Sequence, residues 1–245
     1  MPSAAPIAAL ILAAGRGERM RPLTDACPKP LLSLRGKPLM QWSMEALARG
    51  GFADVVVNTA WLGKQIEQRF GTAPVLPGVG AVQVRYSHEG QDFGGALETA
   101  GGIARALPLL CGHGQQVFWV LAGDVYAPDF AFSAEAVQAF AASGRRAHIW
   151  LVPNPPQHPG GDFALTTQGL ADHRAQPRYT YSTIGLYHRA FFDALPWGNP
   201  QGLKAPLAPL LRAAMDNSDV SAELYPGPWA DVGTPERLAQ LEHPA

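Results

Sequence analysis

The chain is poor in the features that mark several common protein classes. It holds two cysteines in 245 residues, Cys27 and Cys111. They form no CxxC pair and sit beside no histidine cluster, so neither a disulfide framework nor a zinc site is indicated, and both are read as reduced structural thiols. Charge of one sign is also missing: 19 basic residues face 20 acidic ones. With no basic run interleaved with aromatics, the electrostatic ground for nucleic-acid binding is absent. The apolar N-terminal stretch MPSAAPIAALILAAG is too short, and too interrupted by Pro2 and Pro6, to span a bilayer. Its first cation is Arg16, so it lacks the basic region of a secretory leader. These absences imply a cytoplasmic protein with no membrane or nucleic-acid partner. Two nucleotide motifs are missing as well. No GxxxxGK[ST] occurs, and the third glycine of a dinucleotide fingerprint would fall on Met20.

What is present is a composition 47% hydrophobic and 16% charged, enough to bury a full core in one domain over residues 1–245. Apolar runs predict strands at 7–13, 54–58, 82–86, 117–121 and 147–152. Helical spacing predicts helices at 38–49, 62–70, 99–107 (ending before Pro108) and 133–143. Near-continuous apolar strands alternating with helices imply an α/β fold whose mainly parallel sheet is covered on both faces. From about residue 153 the Pro- and Gly-rich stretch NPPQHPGGDFALTTQGLADHR predicts irregular loops and a hairpin. Strands at 179–187 and 220–224, a helix at 205–215 and a last helix from Pro235 complete the reading.

The stretch ILAAGRGERMRPLTDACPKPLL at 11–32 follows the first strand. Gly15 and Gly17 allow a tight turn in which backbone N–H groups approach phosphate oxygens. Between residues 16 and 37 lie six cations (Arg16, Arg19, Arg21, Lys29, Arg35 and Lys37) against the acids Glu18 and Asp25. Within a chain of net charge -1, that surplus points to a small polyanion such as a nucleoside triphosphate. Asp124 follows the strand at 117–121 and faces the same crevice if the sheet is parallel. Asp231, in WADVG, is the second candidate carboxylate. A lone Asp after a strand is commonly a cap, but two converging on a phosphate loop suit Mg²⁺, which takes one or two carboxylates and completes its octahedron with phosphate oxygens and water.

The spelling GRGERMRPLT followed by PKPLL resembles the signature of the sugar-1-phosphate nucleotidyltransferases. Leu97-Glu98-Thr99-Ala100-Gly101-Gly102 resembles their nucleoside-contacting segment, and Asp124 and Asp231 resemble their metal ligands. The likeness runs from residue 7 to about 240. Residues 151–165 and KAPLAPLLRAAM look most like the subgroup that uridylylates N-acetylmuramate 1-phosphate in cell-wall recycling. Guanylylation of mannose 1-phosphate and thymidylylation or uridylylation of glucose 1-phosphate are the alternatives within the chemistry, and a non-catalytic nucleotide-sugar-binding regulator is the alternative outside it.

The resemblance implies a single-domain Rossmann-like fold. Residues 1–152 would mainly serve the nucleotide and 153–245 the sugar phosphate, with Mg²⁺ as cofactor and a monomer or small homo-oligomer as the assembly. It implies catalytic roles for Arg19 and Lys29. Leu12, Ala13, Ala14, Gly15, Gly17, Glu89, Thr99 and Gly101 would bind the nucleotide, Asn154, Asp162 and Thr183 the sugar, and Asp124 and Asp231 the metal. A lactyl carboxylate would need a cation, for which Arg174, Arg178 and Lys204 are candidates. Two departures stand out: residues 91–96 lengthen a loop, and Thr183 occupies a position where related chains often carry glycine.

Overall fold

The computed structural model describes residues 7–242, so the leader reading and the prolines at its head lie partly outside the described residues. Nine strands form the central sheet: β1 Ala9–Leu12, β2 Asp54–Thr59, β3 Gln83–His88, β4 Val117–Ala122, β5 Ala147–Val152, β6 Phe163–Leu165, β7 Ala171–Asp172, β8 Arg178–His188 and β9 Val220–Leu224. The order β7-β6-β8-β4-β1-β2-β3 is one path, with β5 paired to β8 and β9. Neighbours among β3, β2, β1 and β4 are parallel. The long β8 runs against β4, β5 and β6, so the sheet is mixed, as expected of a doubly wound fold with an antiparallel insertion.

Alternation within each parallel strand explains why both faces are buried. Ile11, Val55, Val57, Trp119 and Leu121 enter one core, while Leu10, Val56, Phe118 and Val120 enter the other. The first core is covered by α1 Leu39–Arg49, through Met40, Met44 and Leu47, and by α2 Gly63–Phe70 through Ile66 and Phe70. After a short helix, α3 Glu89–Phe93, the longer α4 Glu98–Cys111 covers the second core. Further helices include α5 Ala134–Ala142, capped by Ser133 Oγ on Ala136 N–H at 3.1 Å, α6 Leu207–Asp216 and α7 Pro235–Glu242. Among the described residues no helix is long and apolar enough to cross a membrane.

Two sequence expectations need correction. Pro108 does not end its helix; α4 continues to Cys111. An interior proline costs about 3 kcal/mol through the lost N–H bond and ring clash. The extra turn buries Leu110 and Cys111 in the second core, and burial of a leucine-sized side chain returns about 1.5–3 kcal/mol. The lengthened 91–96 segment is also partly helical, since α3 begins at Glu89.

Candidate active site

Two clefts open at the carboxyl ends of β1, β2, β3 and β4, where parallel sheets bind ligands. The loop after β1 is fixed from within. Gly17 has φ 68° and precedes the single turn Glu18–Met20, a left-handed conformation that glycine adopts without Cβ strain. Met20 is fully buried beside Leu34, Leu39 and Val232. The residue that breaks the dinucleotide fingerprint is therefore the loop's apolar anchor.

The loop's cations divide into two sets. Arg16 stacks 3.8 Å over the Trp61 ring, donates from Nη1 to Thr24 O at 2.8 Å, and donates from Nη2 to Asp25 Oδ1 at 2.8 Å. Arg21 Nε also reaches Asp25 Oδ1 at 2.8 Å, and the Arg16 hydrogen bond, ahead of the field of Arg21, holds the Asp25 carboxyl below its usual range. Arg16 and Arg21 thus brace the loop, which corrects their expected place against a polyanion. Arg19 is exposed and has no ion-pair partner among the described residues. Lys29 is mostly buried and pairs with Asp124. These two remain for a ligand.

Lys29, Arg19 and Asp124 line one cleft of about 280 Å³ together with Leu12, Ala13, Gly15 and Gly17. A second cleft of about 560 Å³ adjoins it, sharing Leu12 and Gly15. Of the expected residues, Ala14, Glu89, Thr99, Asp162 and Thr183 line this larger space. Its polar lining includes Glu89, Glu98 and Thr99, and its apolar lining includes Phe163, Leu207 and Leu211. The two spaces share Leu12 and Gly15, and the smaller is the cationic one, lined by Arg19 and Lys29.

The second carboxylate, Asp231, does not line either cleft. It comes beside Asp124 through a short antiparallel ladder, in which Asp231 pairs with Val125 and Val232 N–H donates to Asp124 O at 3.0 Å. Arg237 Nη1 donates to Asp231 Oδ2 at 2.7 Å, and Gln157 Nε2 to Oδ1 at 3.1 Å. Each carboxylate is thus balanced by a cation. Among the described residues no cluster of three metal-ligating side chains occurs. The donor set the chain offers is two carboxylates with hard oxygen donors, which fits an ion that takes its remaining ligands from phosphate and water.

Other expected ligands are occupied elsewhere. Gly101 sits inside α4, where its N–H donates to Ala205 O at 3.1 Å and a Cβ would stand 2.4 Å from Leu203 O; close packing of the 203–205 strap requires the glycine. Asn154 donates to Pro159 O and Arg178 O at 3.0 and 2.9 Å and accepts from Thr180 Oγ1 at 3.0 Å, which uses its amide to hold the loop before β6. Arg174 pairs with Asp216, while Arg178 donates to Ala175 O and His173 O. Lys204 has no ion-pair partner among the described residues and stands just before Pro206, a cleft residue. Asp162 accepts from Tyr181 N at 2.8 Å and lies 3.1 Å from His158 Nε2.

Thr183 has φ 63°, uncommon for any side chain and strained for a β-branched one. It sits where the register of β8 against β5 shifts between Ile149 and Leu151. Ser182 fixes this bulge, donating to Trp150 O at 2.7 Å and accepting from Ile184 N at 3.1 Å. Among the described residues, the Thr183 hydroxyl is buried without a partner. Strain at a cleft wall points to a function for the side chain. Thr183→Gly is expected to relieve about 1–2 kcal/mol of left-handed strain, less about 0.5–1 kcal/mol of added chain entropy. Melting should show equal or slightly higher stability, and steady-state assays a weakened preference among sugar phosphates; a large loss of stability would show that Thr183 serves packing instead.

Asn58 was not expected from the sequence. It lines the larger cleft and is joined by hydrogen bonds to Ala13 and Glu89. Only its place at the end of an apolar strand could have marked it. Burial pushes the carboxyl of its partner Glu89 above the usual range, opposed by the hydrogen bonds from Leu97 and Asn58.

Comparison with known proteins agrees with this geometry. A protein from Neisseria meningitidis serogroup B (strain ATCC BAA-335 / MC58) named N-acetylmuramate alpha-1-phosphate uridylyltransferase is 45% identical over 241 residues, covering 96% of both chains. A mannose-1-phosphate guanyltransferase beta-B from Xenopus laevis is 35% identical over 93% of this chain and 61% of its own length. The crystal structure of a Bacillus anthracis protein assigned as a glucose-1-phosphate thymidylyltransferase, in complex with a sucrose, superposes with TM-score 0.73 at 19% identity, covering 96% of this chain and 94% of that one. Residues 8–164, which include the Gly-rich loop, Asp124 and the 97–102 segment, match the nucleotidyl transferase family. On this match over more than half of its length, together with the 45% identity across 96% of both chains, the chain belongs to the nucleotidyl transferase family.

Proposed function

We propose that the chain transfers the uridylyl group of UTP to N-acetylmuramate 1-phosphate, giving UDP-N-acetylmuramate and pyrophosphate. The observation that carries the substrate choice is the 45% identity over 96% of both chains to the Neisseria protein of that name.

The reaction asks for electrostatics rather than proton abstraction. With a second pKa of about 6, a phosphate monoester is largely dianionic at neutral pH, so its oxygen is already a nucleophile. That oxygen forms a bond to the α-phosphorus while the bond to the β,γ-pyrophosphate breaks and its electron pair leaves with the pyrophosphate. Arg19, unpaired at the smaller cleft, would hold the triphosphate and take charge from the departing oxygens. Lys29 would exchange Asp124 for the incoming or α-phosphate. Asp124 and Asp231 are the residues that would hold Mg²⁺, which would supply charge neutralisation to the reacting phosphates. The nucleoside lies against Leu12, Ala13, Ala14 and Gly15 and the N-terminus of α4, with Thr99 on the facing wall. The sugar lies toward Asp162 and Thr183, so the half up to residue 152 mainly serves the nucleotide and the half from 153 the sugar phosphate.

One observation favours a second sugar. The larger cleft is lined by Glu89, Glu98 and Asp162 and, among the described residues, by no Arg or Lys. A lactyl carboxylate therefore has to sit at the open mouth, toward Lys204. A sugar without a carboxylate, mannose or glucose 1-phosphate, avoids that demand. Competition between N-acetylmuramate 1-phosphate and N-acetylglucosamine, glucose and mannose 1-phosphates for limiting UTP, read by product mass, tests the choice. Preferential UDP-N-acetylmuramate supports it; a preferred neutral sugar replaces it.

A further inference from the structure

Three short hydrogen bonds under the cleft are built on two buried side chains. Asn58 Oδ1 accepts from Ala13 N–H at 2.6 Å, and Asn58 Nδ2 donates to Glu89 Oε1 at 2.6 Å. Glu89 Oε2 then accepts from Leu97 N–H at 2.7 Å. Asn58 is 3% exposed and Glu89 0%. The space is full: a Cβ on Gly102 would stand 2.4 Å from Glu89 Oε1 and 2.9 Å from Asn58 Nδ2. Each bond also has one polarity. The Ala13 N–H can only donate, so the Asn58 amide must turn its oxygen to Ala13 and its nitrogen to Glu89.

The two ends of this chain of bonds are the two walls of the nucleotide end of the cleft. Ala13 begins the Gly-rich loop, and Leu97 is the residue before α4, followed by Glu98 at φ 62°. We propose that Asn58 and Glu89 are a positioning couple that fixes the gap between the Gly-rich loop and the start of α4, so that base and triphosphate bound across it keep one register. The proposal rests on the reading that a nucleoside triphosphate binds there. Glu89 then acts through Leu97 and Asn58 and needs no contact with the base, which revises its expected role as a nucleotide ligand.

Exchange of the two partners tests this. Asn58→Asp sets a second carboxylate against Glu89, and Glu89→Gln sets an amide N–H against either Leu97 N–H or Asn58 Nδ2. Each single change is expected to raise KM for the nucleoside triphosphate on the order of 10-fold or more, with KM for the sugar 1-phosphate changed by less than about 3-fold. The double variant, N58D with E89Q, restores every bond with its polarity reversed in the middle. The carboxylate introduced at position 58 would accept from Ala13 N–H and from the amide introduced at position 89, whose oxygen would accept from Leu97 N–H. That variant is expected to return the nucleotide KM to within about 3-fold of the unsubstituted protein. A double variant as impaired as the two singles combined overturns the couple and makes Glu89 a direct ligand. Single variants that lower melting temperature while leaving the ratio of the two KM values unchanged also overturn it, because the network then serves folding alone. If the unsubstituted protein prefers a triphosphate other than UTP, only the substrate assignment falls, and the same ratios are read with that nucleotide.

Discussion

Asp124→Asn is expected to lower turnover by about 100-fold or more while the protein still folds, the loss typical when one preorganised charge at a reacting phosphate is removed. The substitution keeps the shape of the side chain and deletes its charge. Asp124 stands just past the end of β4, partly exposed, and its partner within the chain is Lys29. The mostly buried ammonium would lose its counter-ion but keep the asparagine oxygen as an acceptor, so some stability is lost while the fold persists. The catalytic cost is large for two reasons: the pair of carboxylates would be halved, and Lys29 would no longer be held in line with the phosphate path. Pyrophosphate release and a thermal melt on the same preparation separate the two. A variant that turns over at near wild-type rate, or one that loses turnover only because it unfolds, contradicts the assignment.

Arg19→Ala carries the second large effect, and here the structure gives a sharper contrast than the sequence. Arg19 has no ion-pair partner among the described residues, so its removal should leave the melting temperature unchanged. It faces the cleft that holds Lys29 and Asp124, and kcat/KM is expected to fall about 100- to 1000-fold. Arg16→Ala is the control on the same loop. Arg16 stacks on Trp61 and pairs with Asp25, so its loss should lower stability and raise KM through a looser loop. Equal kinetic losses with equal stability losses at both positions would mean that the two arginines do not divide as described.

This contrast shows where reading the chain by sequence succeeds and where it stops. The strands were legible because their apolar runs, such as Val117–Leu121, are buried on both faces and need no partner to be recognised. The phosphate-type loop was legible because its glycines and cations lie close together in the chain. Which cation braces the loop was not, since that depends on Trp61 reaching it from elsewhere in the fold and on the loop folding Asp25 back onto Arg16. The same reason hides Asn58, whose partners lie 45 and 31 residues away. Local rules also mislead where burial outweighs them, as at Pro108. Thr183 was marked by its difference from an expected glycine, but its strain and unpartnered hydroxyl exist only in the folded bulge.

The most direct measurement is pyrophosphate release from each nucleoside triphosphate in turn with each sugar 1-phosphate, with Mg²⁺ present or removed by chelator. The account predicts release that peaks with UTP and N-acetylmuramate 1-phosphate and disappears with chelator. Silence with every pair, in a protein that still binds a nucleotide sugar, would contradict nucleotidyl transfer and make the chain a binding protein.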